Sequence, residues 1–115
     1  GPSSIVMAVM ASGLNGQSFA FNGYLPVKPP ERVQAIRRFE RRAHAEGQSQ
    51  LFIEAPYRNV KLMEQLLQTL APETRLTVAM DITAPGEFIR TLRVREWRAA
   101  ELPAMNKRPA IFIIG

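Results

Sequence analysis

The sequence predicts an α/β fold: a single domain with about five strands and helices packed against them. Two observations carry this. Segments with helical apolar spacing alternate with short apolar runs of strand type, and most boundaries carry a proline or a glycine. At 115 residues, 46% hydrophobic and 22% charged, the chain has the size and composition of one globular domain. That is long enough to bury a substantial core.

Residues 3–13, SSIVMAVMASG, read as a helix. Ser3 or Ser4 caps its start, Ile5, Val6, Val9 and Met10 form the apolar stripe, and Gly13 suits the stop. It is almost free of charge all round, so it is expected to be deeply buried or to pack on something outside this chain. FAFNGYLP, 19–26, reads as a strand ending at Pro26, with Gly23 permitting a bulge. VKPP is a stiff connector, and Pro30 with Glu31 suits a helix start. The helix of about 31–46 places Val33, Ile36, Phe39 and Ala43 on one face and the arginines on the other, and Gly47 ends it. LFIE, 51–54, is a strand of the fully buried type. A helix follows from about Pro56 to Leu70, closed by Pro72. RLTVAMDIT, 75–83, is the third strand, with the turn Ala84-Pro85-Gly86 after it. EFIRTLRV reads as the fourth strand, REWRAAEL as a short helix carrying Trp97, and AIFII, 110–114, as a last buried strand.

Composition excludes several chemistries. There are no cysteines, hence no disulfides or thiolate metal sites, and the lone His44 reads as a solvated residue on a charged helix end. A zinc site and a Ser-His-Asp triad are therefore not expected. The apolar runs are too short to span a bilayer, and no basic segment precedes Ile5–Ala11 as in a signal peptide. The formal charge is +5. Lys28, Arg32, Arg37, Arg38, Arg41 and Arg42 form one basic cluster, and Arg90, Arg93, Arg95 and Arg98 a second. Composition leaves both a solvated helix face and phosphate contacts open. The methionines read as core filler, and no phosphate-cradling glycine loop, HExxH or GxSxG occurs.

Three strands end in chemically loaded junctions: Asn22-Gly23-Tyr24, Glu54-Ala55-Pro56 and Asp81-Ile82-Thr83. In open α/β sheets ligands sit beyond the carboxyl ends of strands. A carboxylate there accepts from ribose hydroxyls or an amino group, and a helix opening at Pro56 would offer free N–H groups to an anion. A purely structural alternative stands beside each. Glu54 would pair with Arg58 four residues on, and Asp81 would hold a turn.

GPSSIVMAVMASGL, FAFNGYLP, LFIEAPYR and VAMDIT together resemble the carboxyl-terminal half of the tetrapyrrole methylase superfamily. The nearest branch is the bacterial enzymes that 2'-O-methylate a ribose of small-subunit ribosomal RNA. The resemblance runs along essentially the whole chain. Two segments depart from it. VAMDITAPGEF lacks the branch's basic residue before the acid and the lysine after Thr83, and Tyr57 stands for the usual histidine. The resemblance implies a mixed sheet and a two-domain, homodimeric cytoplasmic enzyme. It holds S-adenosylmethionine between the domains, and residues 1–115 form the carboxyl-terminal one. It further implies cofactor contacts at Glu54, Ala55 and Pro56, mostly through backbone, at Asp81, Ile82 and Thr83, and at Ser3. Arg58, Arg37, Arg38, Arg41 and Arg42 are the candidate RNA contacts, with no metal, no membrane and no general base named within the chain. Methylation of a tetrapyrrole or another small molecule is the alternative within enzymes. A non-catalytic basic RNA-binding module and a dimerisation domain are the alternatives outside them.

Overall fold

The computed structural model describes residues 4–115. In chain order the elements are α1 (Ser4–Ser12), β1 (Phe19–Tyr24), α2 (Pro29–Glu46), β2 (Ser49–Ile53), a 3-10 turn (Pro56–Arg58), α3 (Asn59–Thr69), β3 (Arg75–Met80), β4 (Phe88–Arg93), α4 (Val94–Ala99) and β5 (Ala110–Ile114). This is the predicted alternation. The strands form one sheet in the order β1-β2-β5-β3-β4. β1 and β2 are parallel, and the other neighbouring pairs are antiparallel, so the sheet is mixed. Because β2 and β3 both run opposite to β5, the strands β1, β2 and β3 share one direction. Their carboxyl ends therefore emerge along one edge of the sheet.

Local chemistry explains most boundaries. Pro29 and Pro30 occupy the first turn of α2, where a missing N–H costs nothing. Gly47 ends α2 in the left-handed region (φ 59°), its N–H donating to the Ala43 carbonyl. In β1, Phe21 pairs with Leu51 but Tyr24 with Ile53, so one extra residue is accommodated where Gly23 takes φ 66°. β3 stops at Met80, short of the predicted Thr83, because Asp81 (φ 51°) and Thr83 (φ 68°) leave the extended region. α3 begins at Asn59 instead of Pro56. The intervening 3-10 turn is closed by the Arg58 N–H on the Ala55 carbonyl (2.8 Å) and by the Asn59 N–H on the Pro56 carbonyl. The buried Asn59 side chain anchors α3 on the 105–108 loop, donating to the Arg108 carbonyl at 2.6 Å.

A threonine at φ 68° is strained by about 1–2 kcal/mol, whereas glycine gives up only about 0.4–1 kcal/mol in unfolded-chain freedom. Thr83→Gly is therefore expected to stabilise the chain by about 0.5 kcal/mol or more in urea unfolding. A measured loss would show that the turn is held by side-chain contacts of Thr83.

The sheet buries both faces unequally. On one face α2, α3 and α4 cover a core in which Phe52 stacks between Phe39 and Phe112, at centroid distances of 6.4 and 6.0 Å. Trp97 is fully buried there, its indole N–H donating to the Leu76 carbonyl at 2.8 Å. On the other face α1 alone packs over Leu51, Ala79, Ile111 and Ile113. The expected α1 stripe needs correcting. Ala8, Val9 and Ser12 are buried, while Val6 and Met10 are 45% and 78% exposed. Small residues let the helix sit close to the sheet, and the Ser12 hydroxyl is satisfied by the Val9 carbonyl at 2.6 Å. Without a single charge in the helix, nothing in its pattern marked the solvent side.

The arginines of α2 also divide. Arg32, expected on the solvated face, is 1% exposed. It follows the spacing of Ile36, Phe39 and Ala43, and so belongs to the buried face. The second basic cluster is largely committed to structure. Arg93 and Arg95 both reach Glu73 (3.2 and 2.8 Å), and Arg98 donates to the Leu67 carbonyl at the end of α3 (2.8 Å).

Candidate functional site

At the edge where β1, β2 and β3 end, on the face that α1 covers only in part, lies an open groove of about 530 Å³. Strand alternation builds its floor. Ile53, Ala79 and Ile111 point to the α1 side, and Ala79 is the cross-strand partner of both Ile89 and Ile111. Phe21 and Tyr24 of β1, 44% and 66% exposed, flank one end, and Ser4 and Ile5 of α1 the other side. The rim consists of Glu54 and Pro56 after β2, and Asp81, Ile82 and Ala84 after β3.

Both rim carboxylates are held by arginines. Glu54 is buried, and one oxygen accepts from the Arg32 guanidinium. The other accepts the Ala55 N–H at 2.7 Å and lies 3.6 Å from Arg58 Nε. Asp81 accepts from Arg108 Nε at 2.7 Å, and Arg108 also donates to the carbonyls of Gly86 and Ala104, each at 2.6 Å. Both rim carboxylates are thus committed to arginine partners within the chain.

The polar backbone available at the rim is limited. The Ala55 N–H goes to Glu54, the Ala55 carbonyl accepts from Arg58, and the Pro56 carbonyl accepts from Lys107 at 3.2 Å. Of the N–H groups expected at the helix start, those of Arg58 and Asn59 are used within the 3-10 turn, on the Ala55 and Pro56 carbonyls. Across the groove, neither the N–H nor the C=O of Ile82 hydrogen-bonds to another described residue.

The structure therefore brings Glu54, Pro56, Asp81 and Ile82 to one groove, with Ala55 and Thr83 adjoining in the chain. Ser3 lies outside the described residues. Arg58 stands behind the rim, its guanidinium 4.7 Å from the Tyr57 ring centre. Arg37, Arg38, Arg41 and Arg42 sit on α2, across the sheet from the groove, and Arg38 and Arg42 lie over the Phe39 ring at 5.2 and 5.8 Å. Sequence reasoning missed the floor residues Ile53, Ala79 and Ile111, whose role depends on which face each strand presents. It also missed Arg32, which helical spacing could have found. Among the described residues, no group of three or more His, Cys, Asp or Glu side chains could hold a metal. No helix of the described residues is long and apolar enough to cross a membrane.

Comparison with known proteins adds to this geometry. Ribosomal RNA small subunit methyltransferase I of Vibrio cholerae is 28% identical over 96 residues, covering 84% of this chain and 32% of that protein. The same-named protein of Escherichia coli O157:H7 is 26% identical over 114 residues, 99% of this chain and 38% of its own. That of Xylella fastidiosa is 32% identical over 114 residues, 99% and 40% respectively. The chain thus spans 32% to 40% of the length of these curated relatives. Among solved structures, the methyltransferase CobJ superposes with a TM-score of 0.63 at 19% identity, over all of this chain and 48% of that one. Cobalt precorrin-4 methyltransferase CbiF gives 0.60 at 16% identity, over all of this chain and 49% of that one. These two show the fold. Uroporphyrin-III-C-methyltransferase from Thermus thermophilus gives 0.51 at 25% identity, over all of this chain and 48% of that one. No protein-family model matches the chain.

Proposed function

We propose that the chain is the carboxyl-terminal domain of a two-domain, S-adenosylmethionine-dependent methyltransferase of the tetrapyrrole methylase superfamily, acting on a ribose 2'-hydroxyl of ribosomal RNA, as its similarity to ribosomal RNA methyltransferases and to a uroporphyrin-III-C-methyltransferase supports. The whole protein works in the cytoplasm as a homodimer, and an amino-terminal domain closes the groove into a cofactor cleft. The groove at the shared strand ends is the observation that carries this reading.

The residues fit the cofactor. The groove volume lies in the range of small-molecule sites, and a mostly apolar lining with a few polar groups suits an adenosyl moiety. Ile82 offers one backbone donor and one acceptor to the base or ribose, with Asp81 and Thr83 beside it. Ala79 leaves space above the floor, and the Glu54–Pro56 rim forms the opposite wall. When bound, the cofactor supplies a methyl group on a sulfonium, and transfer depends on in-line approach of the acceptor oxygen. The chain's own residues orient and exclude water. Arg58, the basic candidate nearest the rim, meets RNA first, and Arg37, Arg38, Arg41 and Arg42 add a basic field on the far face. Sequence similarity to ribosomal RNA methyltransferases favours RNA over a tetrapyrrole acceptor.

The test is methylation of total RNA from a deletion strain by the full-length protein with labelled cofactor. Label in a small-subunit ribosomal RNA ribose supports the reading. Label confined to small molecules transfers it to the tetrapyrrole alternative, and no transfer at all leaves a binding module. The chain alone supplies one wall, so calorimetry is expected to show weak or undetectable S-adenosylmethionine binding. Micromolar affinity would refute the shared cleft.

A further inference from the structure

We propose that Arg32 is a positioning residue for the cofactor wall, acting through Glu54. This rests on the reading of the groove as the cofactor site.

Arg32 sits in the first turns of α2, on the opposite side of the sheet from α1, and its side chain is 2% exposed. Its guanidinium joins three separate parts of the chain. Nε donates to the Pro26 carbonyl in the loop after β1 (2.8 Å), one terminal nitrogen donates to Gln65 Oε1 on α3 (3.0 Å), and the other pairs with Glu54. Glu54 in turn accepts its neighbour's N–H at Ala55. The result is a clamp running from the end of one strand, through a buried charge, to the peptide that forms the groove rim. A planar fork with fixed donor directions does this, whereas a lysine ammonium is a point charge that cannot reproduce all three directions. The clamp also keeps the Glu54 carboxylate turned inward (its side chain is 2% exposed), so the rim presents the Pro56 ring and no mobile anion.

A residue that only stabilised the fold would behave differently from one that sets the rim. A buried ion pair replaced by an apolar pair of similar volume commonly keeps or gains stability. In the full-length protein, Arg32→Lys is expected to weaken S-adenosylmethionine binding at least about tenfold by calorimetry. It should raise the KM for the cofactor while leaving turnover at saturating cofactor near wild type. The double variant Arg32→Met with Glu54→Leu is expected to melt at or above the wild-type temperature and still bind as weakly. A double variant that regains both stability and wild-type affinity would overturn the proposal, as would unchanged affinity in Arg32→Lys. Amide exchange at Ala55 gives a readout free of the cofactor: protected in the wild type, it should exchange faster in Arg32→Lys. If the wild-type protein binds no S-adenosylmethionine, the functional reading fails while the exchange result still judges the clamp. Unchanged exchange at Ala55 sinks the clamp by itself.

Discussion

Phe52→Ala is expected to destabilise the chain by about 3–5 kcal/mol. Phe52 is fully buried in β2 and is the cross-strand partner of Phe112. It is also the middle ring of the Phe39–Phe52–Phe112 stack, with interplanar angles of 18° and 7°. Truncation removes the ring, leaves a cavity between α2 and the sheet, and breaks both aromatic pairs, each worth about 0.5–1.5 kcal/mol beyond its area. Domains of this kind are stable by only about 5–15 kcal/mol, so the variant should lie near the unfolding threshold. Urea unfolding with a shifted midpoint and an unchanged slope would report it. Phe52→Leu keeps most of the volume and should lose clearly less. A loss under about 1 kcal/mol for the alanine would mean that the stack does not organise this face.

Phe52 also shows what was legible beforehand. A short run of large apolar residues ending on a glutamate announced a strand buried on both faces, and the alternation of periods along the chain announced every strand and α-helix in order, though not the 3-10 turn at Pro56–Arg58. The strand order was not legible. It depends on β5, the last segment of the chain, inserting between β2 and β3, and no local signal encodes a pairing between residues 50 and 114. Yet that insertion makes β1, β2 and β3 codirectional, and so brings Glu54 and Asp81 to one edge. The two junctions could be singled out from sequence because each carries a carboxylate at a strand end. What the carboxylates do could not be, since their partners Arg32 and Arg108 lie 22 and 27 residues away. The pairing of Glu54 with Arg58 four residues on is present, but it is the longer contact. The dominant partner is the arginine that a charge-based division of α2 had assigned to solvent.

Ala79→Phe should cause the largest loss of function, because it acts directly on the floor of the groove. Ala79 is 1% exposed and sits on the floor between Ile89 and Ile111, facing α1. A methyl group there leaves open the space bounded by Ile53, Ile82 and Pro56. A phenyl ring at the same Cβ has two directions available: under α1, where the core is closed by Ala8 and Val9, or outward into the groove. The second involves less strain, so the ring should come to occupy the ligand's volume. Overpacking of this kind destabilises by about 1–3 kcal/mol, which a protein of ordinary stability tolerates. S-adenosylmethionine affinity of the full-length protein is expected to fall by about 100-fold or more, equivalent to about 2.7 kcal/mol. Ala79→Ser, which adds one small atom, should bind within about threefold of wild type. Calorimetry on the folded variants, with circular dichroism as the control for folding, separates occlusion from unfolding. Wild-type affinity in a folded Ala79→Phe protein would mean that the cofactor does not lie over Ala79, and the groove would then have to be assigned to the methyl acceptor instead.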